Sequence, residues 1–315
     1  MNPALPPELA AALERALTGV PRKALAASAQ KMSAGYRQGE TSRAIVTPED
    51  ALAYAVARMP ATYAACAAVF ARLAEVMPGF APGSLLDVGA GTGAASWAAR
   101  SAWPDITAIT MLDHNPALRA LARRLADEGG LAGVEIAQGD LSAADGNADL
   151  VVASYVLAEL PEEKAASVAV DLWQQCGQVL VLVEPGTPQG FARIRAARTA
   201  LIDASAYVAA PCTHDNGCPM TGDDWCHFSQ RLPRSRDHML LKDAGVPFED
   251  ERYSYVVVTR EAGSSGARIL APPLETKPGL TFKLCDETGL RPQFVAARDK
   301  TEFRRVKKRG WGDLY

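Results

Sequence analysis

The sequence predicts an α/β fold organised around a doubly wound parallel sheet, and three observations carry that prediction. From Ser84 to Ala206, short continuous apolar runs alternate with helical stretches, which is how strands covered on both faces read. The first run ends in closely spaced glycines, Gly89, Gly91 and Gly93. The next two end in aspartates, Asp113 and Asp140. Those positions are the carboxyl ends of parallel strands, where such sheets bind their ligands.

The elements follow in order. Residues 1–80 read as an N-terminal helical region. Pro6–Leu17 is amphipathic at helical spacing. Thr47 followed by Pro48, Glu49 and Asp50 has the form of an N-cap with proline at the first helical position and acids in the first turn. The helix that it opens is expected to break at Pro60 and to resume up to about Met77. Residues 81–262 hold the sheet. Strands are expected at Ser84–Val88, Ile106–Asp113, Val134–Gln138, Asp149–Ser154 and Gln178–Glu184, with helices at Ala94–Ala102, Pro116–Glu128, Glu162–Gln175 and Phe191–Ala206. Asp224–Leu232 and Glu251–Thr259 read as an antiparallel pair joined by a helical excursion. Gly263–Gly266 reads as a linker. Residues 263–315 then form a small C-terminal β element, with strands near Ala267–Leu270, Leu280–Leu284 and Gln293–Ala297 and a basic tail.

Composition narrows the class. The 315 residues are 48% hydrophobic and 22% charged, the balance of an ordinary globular chain rather than a disordered one. No apolar run reaches the roughly 18 residues that a bilayer span needs, and Met1–Leu5 lacks the basic start of a secretory leader. A cytosolic monomer with no membrane partner is therefore expected. Net charge is −3, so no global attraction to nucleic acid exists. The charge is uneven, however: Arg291–Tyr315 carries eight Lys or Arg against three acids.

The chemistry starts at Asp87-Val-Gly-Ala-Gly-Thr-Gly93. Glycines let the strand turn sharply into a helix and let a ligand approach the backbone. Their spacing departs from the G-x-G-x-x-G of dinucleotide sites and suits a cofactor without a pyrophosphate. Asp113, 20 residues after Gly93, stands where a carboxylate accepts both hydroxyls of a ribose. Asp140 is placed to accept from an adenine amine, and Asp87 either anchors the loop or reaches an ammonium group. Ala90, Leu141 and Ser154 complete the expected contacts. In this order the features resemble the class I S-adenosylmethionine-dependent methyltransferases, with their Rossmann-like sheet. The fourth strand ends Ala153-Ser-Tyr-Val-Leu-Ala-Glu159, without the Asn/Asp-Pro-Pro-Tyr/Phe loop that grips an amino group, so no catalytic residue is assigned.

Cys212, Cys218 and Cys226 lie in a loop at 210–230 rich in Gly, Pro and Asp, and Cys285 follows about 60 residues later. Such a loop buries little apolar surface. Thiolates gathered there suit zinc or an iron–sulfur cluster, with His214 and His227 as substitutes for one cysteine. Cys66 and Cys176 read as small core residues.

Further stretches carry a second resemblance: Ala53–Ala64, Glu184-Pro-Gly-Thr-Pro-Gln-Gly-Phe191, the cysteine loop, Trp225–Arg234 and Arg309-Gly-Trp-Gly-Asp313. From about residue 50 the chain resembles the methyltransferase-like assembly factors of the mitochondrial small ribosomal subunit and their bacterial relatives. The resemblance implies a [4Fe–4S] cluster on Cys212, Cys218, Cys226 and Cys285, and contact with small-subunit rRNA. Arg231, Arg234, Arg236, Arg304, Arg305, Lys307, Lys308 and Arg309 are then the expected RNA contacts. The function so implied is methylation of that rRNA or assembly of the subunit, with a non-catalytic assembly factor as the alternative.

Overall fold

The computed structural model describes residues 2–37, 42–139, 147–261 and 265–315. Asp140, Leu141 and the first half of the expected 263–266 linker lie outside the described residues. Helices α1 (Pro7–Ala16), α2 (Arg22–Arg37) and α3 (Pro48–Val76) come first. The sheet region follows as β1 (Ser84–Val88), α4 (Ala94–Ala102), β2 (Ala108–Asp113), α5 (Pro116–Gly129), β3 (Val134–Gln138), β4 (Ala148–Ser154), α6 (Ala165–Gln174), β5 (Cys176–Pro185) and α7 (Pro188–Asp203). Then come β6 (Tyr207–Ala210), β7 (Phe228–Pro233), α8 (Arg236–Leu241) and β8 (Phe248–Thr259). The chain closes with β9 (Arg268–Ile269), β10 (Leu274–Thr276), β11 (Gly279–Asp286), β12 (Gly289–Ala296) and α9 (Lys300–Val306).

The main sheet runs β3-β2-β1-β4-β5-β8-β6, with β7 also paired to β8. β1 to β5 pair in parallel, whereas β8 is antiparallel to β5, β6 and β7. This is the class I methyltransferase topology. The strand order reverses between β1 and β4, which opens a crevice at their carboxyl ends. Val179–Val183 in β5 is fully buried, as a strand covered on both faces requires.

The expected break at Pro60 is corrected: α3 runs unbroken through it. Proline removes one backbone bond and clashes with the preceding turn, at a cost of about 3 kcal/mol. Packing outweighs that, because Val56, Met59, Ala61, Tyr63, Ala64, Ala65 and Cys66 are all buried against the rest of the fold. A capping box of Thr47 and Asp50 starts the helix. The expectation that no segment is apolar enough to span a bilayer also needs correction. By length and composition α3 is, and 78% of its most apolar window is buried inside the fold. It serves as a core helix on which α2, α4, α5 and α8 pack.

A second sheet, β10-β11-β12 with β9 on β11, has its own core of Ile269, Phe282, Leu284, Val295 and Val306. It docks on the cysteine loop through several contacts. Thr213 Oγ1 donates to the Gly266 carbonyl at 2.7 Å, Asn216 Nδ2 to the Glu287 carbonyl at 3.2 Å, and Lys283 pairs with Asp224. The last residues return to it, with Ile269 N donating to Asp313 O and Gly312 N to Ile269 O.

Candidate cofactor loop and cysteine cavity

β1 enters the crevice at Asp87 and the chain turns on three left-handed glycines, Gly89 (φ 69°), Gly91 (57°) and Gly93 (85°). They differ in surroundings. A Cβ on Gly89 would sit 2.5 Å from Val156 Cγ2, and one on Gly93 2.8 Å from the Met111 methyl. Gly91 is open: its nearest neighbour would be the Tyr54 ring at 3.9 Å. Gly89 and Gly93 thus serve packing, while Gly91 leaves open space at its Cα for a ligand to approach. The end of β2 fixes the loop, because Leu112 O accepts from Gly89 N at 2.8 Å and from Ala90 N at 3.0 Å.

Asp113 is 6% exposed, and its two oxygens accept from Gly91 N and Asn115 N, each at 2.7 Å. That fixes the carboxylate at the loop and leaves each oxygen a second lone pair. Asp87 Oδ2 accepts from Ser96 N at 3.0 Å and Ser96 Oγ at 2.7 Å, anchoring α4. Its Oδ1 is buried without a partner. Burial pushes the Asp87 carboxyl up to about 6, although the Ser96 bonds act against the shift. A buried, unpaired carboxylate oxygen at the start of the loop is the acceptor that an ammonium group requires. Ser154 ends β4 and hydrogen-bonds the Cys66 thiol.

Sequence reasoning missed three contributors here. Asn115 caps α5, and its Nδ2 donates to Ser42 O at 3.0 Å and Ile45 O at 2.9 Å. Glu159 accepts from Ser42 N and Oγ, so the short turn Ser42–Ala44 is held from both sides. The Asn115-Pro116 pair carried a cap signal, but nothing local linked it to residue 42. Tyr155 takes a left-handed backbone (φ 59°), a strained choice for a bulky residue. Its hydroxyl donates to Glu251 Oε1 at 2.8 Å, and Arg58 pairs with Glu251 at 3.5 Å. Glu159, which the sequence offers as a general base or, in preference, a helix-start carboxylate, is thus engaged with that turn.

All four loop and late cysteines line one cavity of about 30 Å³. Its remaining wall includes Phe191, Ile194, Met220, Leu270 and Tyr255, with Arg198 and Arg268. Burial raises the thiols of Cys212, Cys226 and Cys285, the last to about 12, and the sulfurs reinforce one another. Cys285 Sγ lies 3.7 Å from His214 Nε2. His227 instead stacks on Trp225 and meets Trp311 edge-on. Among the described residues, no three His, Cys, Asp or Glu side chains are gathered as one metal ion would need. The cavity also contains unpaired donors: Arg198 Nε, Arg268 Nη2 and Tyr255 Oη are buried without partners. Soft sulfurs, apolar walls and orphaned donors are the surroundings that a thiolate-held group of net negative charge would need. Cys66 and Cys176 are buried core residues on α3 and β5.

The profile of a family described as mitochondrial small ribosomal subunit Rsm22 matches residues 48–315. The chain belongs to this family. It is 29% identical over 286 residues to the human "Ribosome assembly protein METTL17, mitochondrial", covering 84% of this chain and 62% of that protein. It is 27% identical to the Schizosaccharomyces pombe "Rsm22-cox11 tandem protein 2, mitochondrial", covering 93% of this chain and 46% of that one. The chain therefore spans about half to three-fifths of the length of these relatives. Among solved structures, it is similar to the magnesium protoporphyrin IX methyltransferase of Synechocystis PCC 6803 with bound SAH. That match has TM-score 0.44 and 15% identity over 64% of this chain and 84% of that one. A putative RNA methyltransferase of Pyrococcus horikoshii has TM-score 0.42 and 13% identity, over 62% and 84%. The family and both relatives are named mitochondrial, which overturns the cytosolic expectation. That expectation rested on the lack of a leader pattern at Met1–Leu5, and a missing pattern does not define a compartment.

In this Rsm22-family chain the expected RNA contacts divide into two groups. Arg231 forms a two-pronged pair with Asp250 at 2.8 Å and stacks on Phe248. Arg234 pairs with Glu249 at 3.3 Å and Arg305 with Glu302 at 2.6 Å. Arg236, Arg304, Lys307, Lys308 and Arg309 are exposed and make no side-chain pair among the described residues.

Proposed function

We propose that the chain is a small-ribosomal-subunit assembly factor that binds S-adenosylmethionine on the Gly89–Gly93 loop and a [4Fe–4S] cluster on Cys212, Cys218, Cys226 and Cys285. Family membership across residues 48–315 carries the ribosomal part of this reading. Cofactor binding is supported by the open face at Gly91 beside the fixed carboxylate of Asp113. In the proposed site, Asp113 takes the ribose hydroxyls, Asp87 the ammonium, and Ala90, Leu141 and Ser154 flank them, with Asp140 at the adenine. The cluster reading draws on four thiols around one apolar cavity that holds orphaned donors, with zinc as the alternative occupant. The exposed Arg236, Arg304, Lys307, Lys308 and Arg309 are the side chains proposed to meet rRNA phosphates.

Whether methyl transfer follows is a separate matter, and one observation favours the non-catalytic reading. The end of β4, where an acceptor would be gripped, is occupied by Tyr155 tied to Glu251 and Arg58. The test is incubation of the full chain with methyl-labelled cofactor and small-subunit precursor particles, beside a cofactor-binding titration. Measurable cofactor binding with no label transferred to RNA or protein supports the non-catalytic assembly factor. Label in either product establishes the enzyme, and absence of cofactor binding overturns the loop reading.

A further inference from the structure

We infer that Arg198 and Arg268 are the internal counter-ions of the group held by the four cysteines, and that their charge sets its reduction potential. This rests on the cluster reading above. Arg198, on α7, is 4% exposed, and Arg268, on β9, is 1% exposed. Neither has an ion pair with a carboxylate among the described residues. The nearest acid in sequence to the thiols, Asp286, is taken by Thr288 and Arg291. Burying a guanidinium without a counter-charge costs several kcal/mol, so two of them on one cavity require negative charge inside it.

Their hydrogen bonds show how they are held and what is left over. Arg198 Nη2 donates to His214 O at 2.8 Å and Asn216 O at 2.9 Å, while its Nε is unpaired. Arg268 Nε donates to Pro211 O at 2.8 Å and Nη1 to Gly312 O at 2.9 Å, while its Nη2 is unpaired. Each guanidinium is thus strapped to the backbone beside the cavity and keeps a buried nitrogen without a partner. Both stabilise the Cys212 thiolate by charge.

The charges balance. Four thiolates on a [4Fe–4S]²⁺ core carry a net charge of −2, which two guanidiniums offset. Adding one electron from an external reductant such as dithionite takes the core to 1+ without making or breaking a bond, and the total becomes −1. Two fixed positive charges in a poorly polarisable site favour that reduced state and raise the potential. Arg195 also lines the cavity but is exposed, so solvent screens it.

The test uses the full chain purified anaerobically, with iron and acid-labile sulfide assayed and the cluster titrated by electron paramagnetic resonance. Arg198→Gln and Arg268→Gln are each expected to lower the reduction equilibrium at least tenfold, about 59 mV for one electron. Arg198→Lys and Arg268→Lys, which keep the charge, should restore most of it. Arg195→Gln should move it far less. A cluster present in every variant at an unmoved potential overturns the counter-ion assignment alone, as does a Lys variant shifted as far as its Gln counterpart. If Arg268→Gln does not fold, the Arg198 pair decides. Stoichiometric zinc without iron in the wild-type chain overturns the cluster reading, and the redox inference with it.

Discussion

Around the glycine loop the chain supplies most of its own partners, whereas around the cysteines it leaves several polar groups unmatched. Leu112 O, Asp113 and Ser96 fix the loop and the start of α4, and Asp87 Oδ1 is left without a partner. In the cysteine cavity one nitrogen of each of two guanidiniums and a tyrosine hydroxyl lack partners, and the four thiols line the same space. The contrast follows from what builds each site. A strand end followed by a helix N-terminus is rigid by its own backbone bonds, so a cofactor pocket there precedes its cofactor. A Gly- and Pro-rich loop has no such frame, and a bound group has to supply the rigidity.

The strongest way to break this contrast is to remove a ligand. Cys226→Ser is expected to abolish bound iron and to loosen residues 265–315, which dock on the cysteine loop. Metal analysis and hydrogen exchange read both, and full iron retention would show that the cavity does not need that thiol. Next come two glycines that look alike in sequence. Gly89→Ala puts a methyl against Val156 and should lower stability by ~1–3 kcal/mol. Gly91→Ala has room, so it should cost ~1–2 kcal/mol for its left-handed backbone yet reduce cofactor affinity more than tenfold. Thermal unfolding beside a binding titration separates them, and identical behaviour would erase the distinction between packing and binding glycines.

A smaller effect should come from pH. The Asp87 carboxyl sits at about 6 rather than 3.8, so the folded chain holds this proton more tightly than the unfolded one. Its contribution to stability therefore falls as pH rises from about 4 to 6. Binding of a cationic ammonium should run the other way, with affinity rising a few-fold through pH 6 and flattening in Asp87→Asn. Titration calorimetry at pH 5 and 7 checks the sign. The mildest change is Lys307→Ala with Lys308→Ala and Arg309→Ala. It should reduce the salt slope of RNA binding by ~2–3, at about 0.9 per phosphate contact. An unchanged slope would remove these three residues from the interface and leave Arg236 and Arg304 as the exposed contacts proposed before them.

Much of the cofactor side was legible because it is local. Strand, glycines and helix are contiguous from Ser84 to Ala102, and Asp113 falls at the end of the next apolar run. Pro60 misled because helix breaking is a local cost that a core helix overrides through contacts distant in sequence. β6 was invisible as a strand for a related reason. Tyr207–Ala210 has four residues and gains its identity from pairing with β8. Arg231, Arg234 and Arg305 read as free positive charge because their partners Asp250 and Glu249 lie across the β7–β8 ladder and Glu302 one helical turn back.

The sequence by itself determined the parallel sheet, the glycine loop and the identity of the four cysteines, since each is written in residues adjacent in the chain or of a rare type. Only the tertiary structure decided that the four thiols meet at one cavity and that Arg198 and Arg268 face it. An arginine on a helix and another on a two-residue strand carry no local mark of burial. Their role arises from what folding leaves beside them: apolar walls, sulfur and, among the described residues, no carboxylate to pair with.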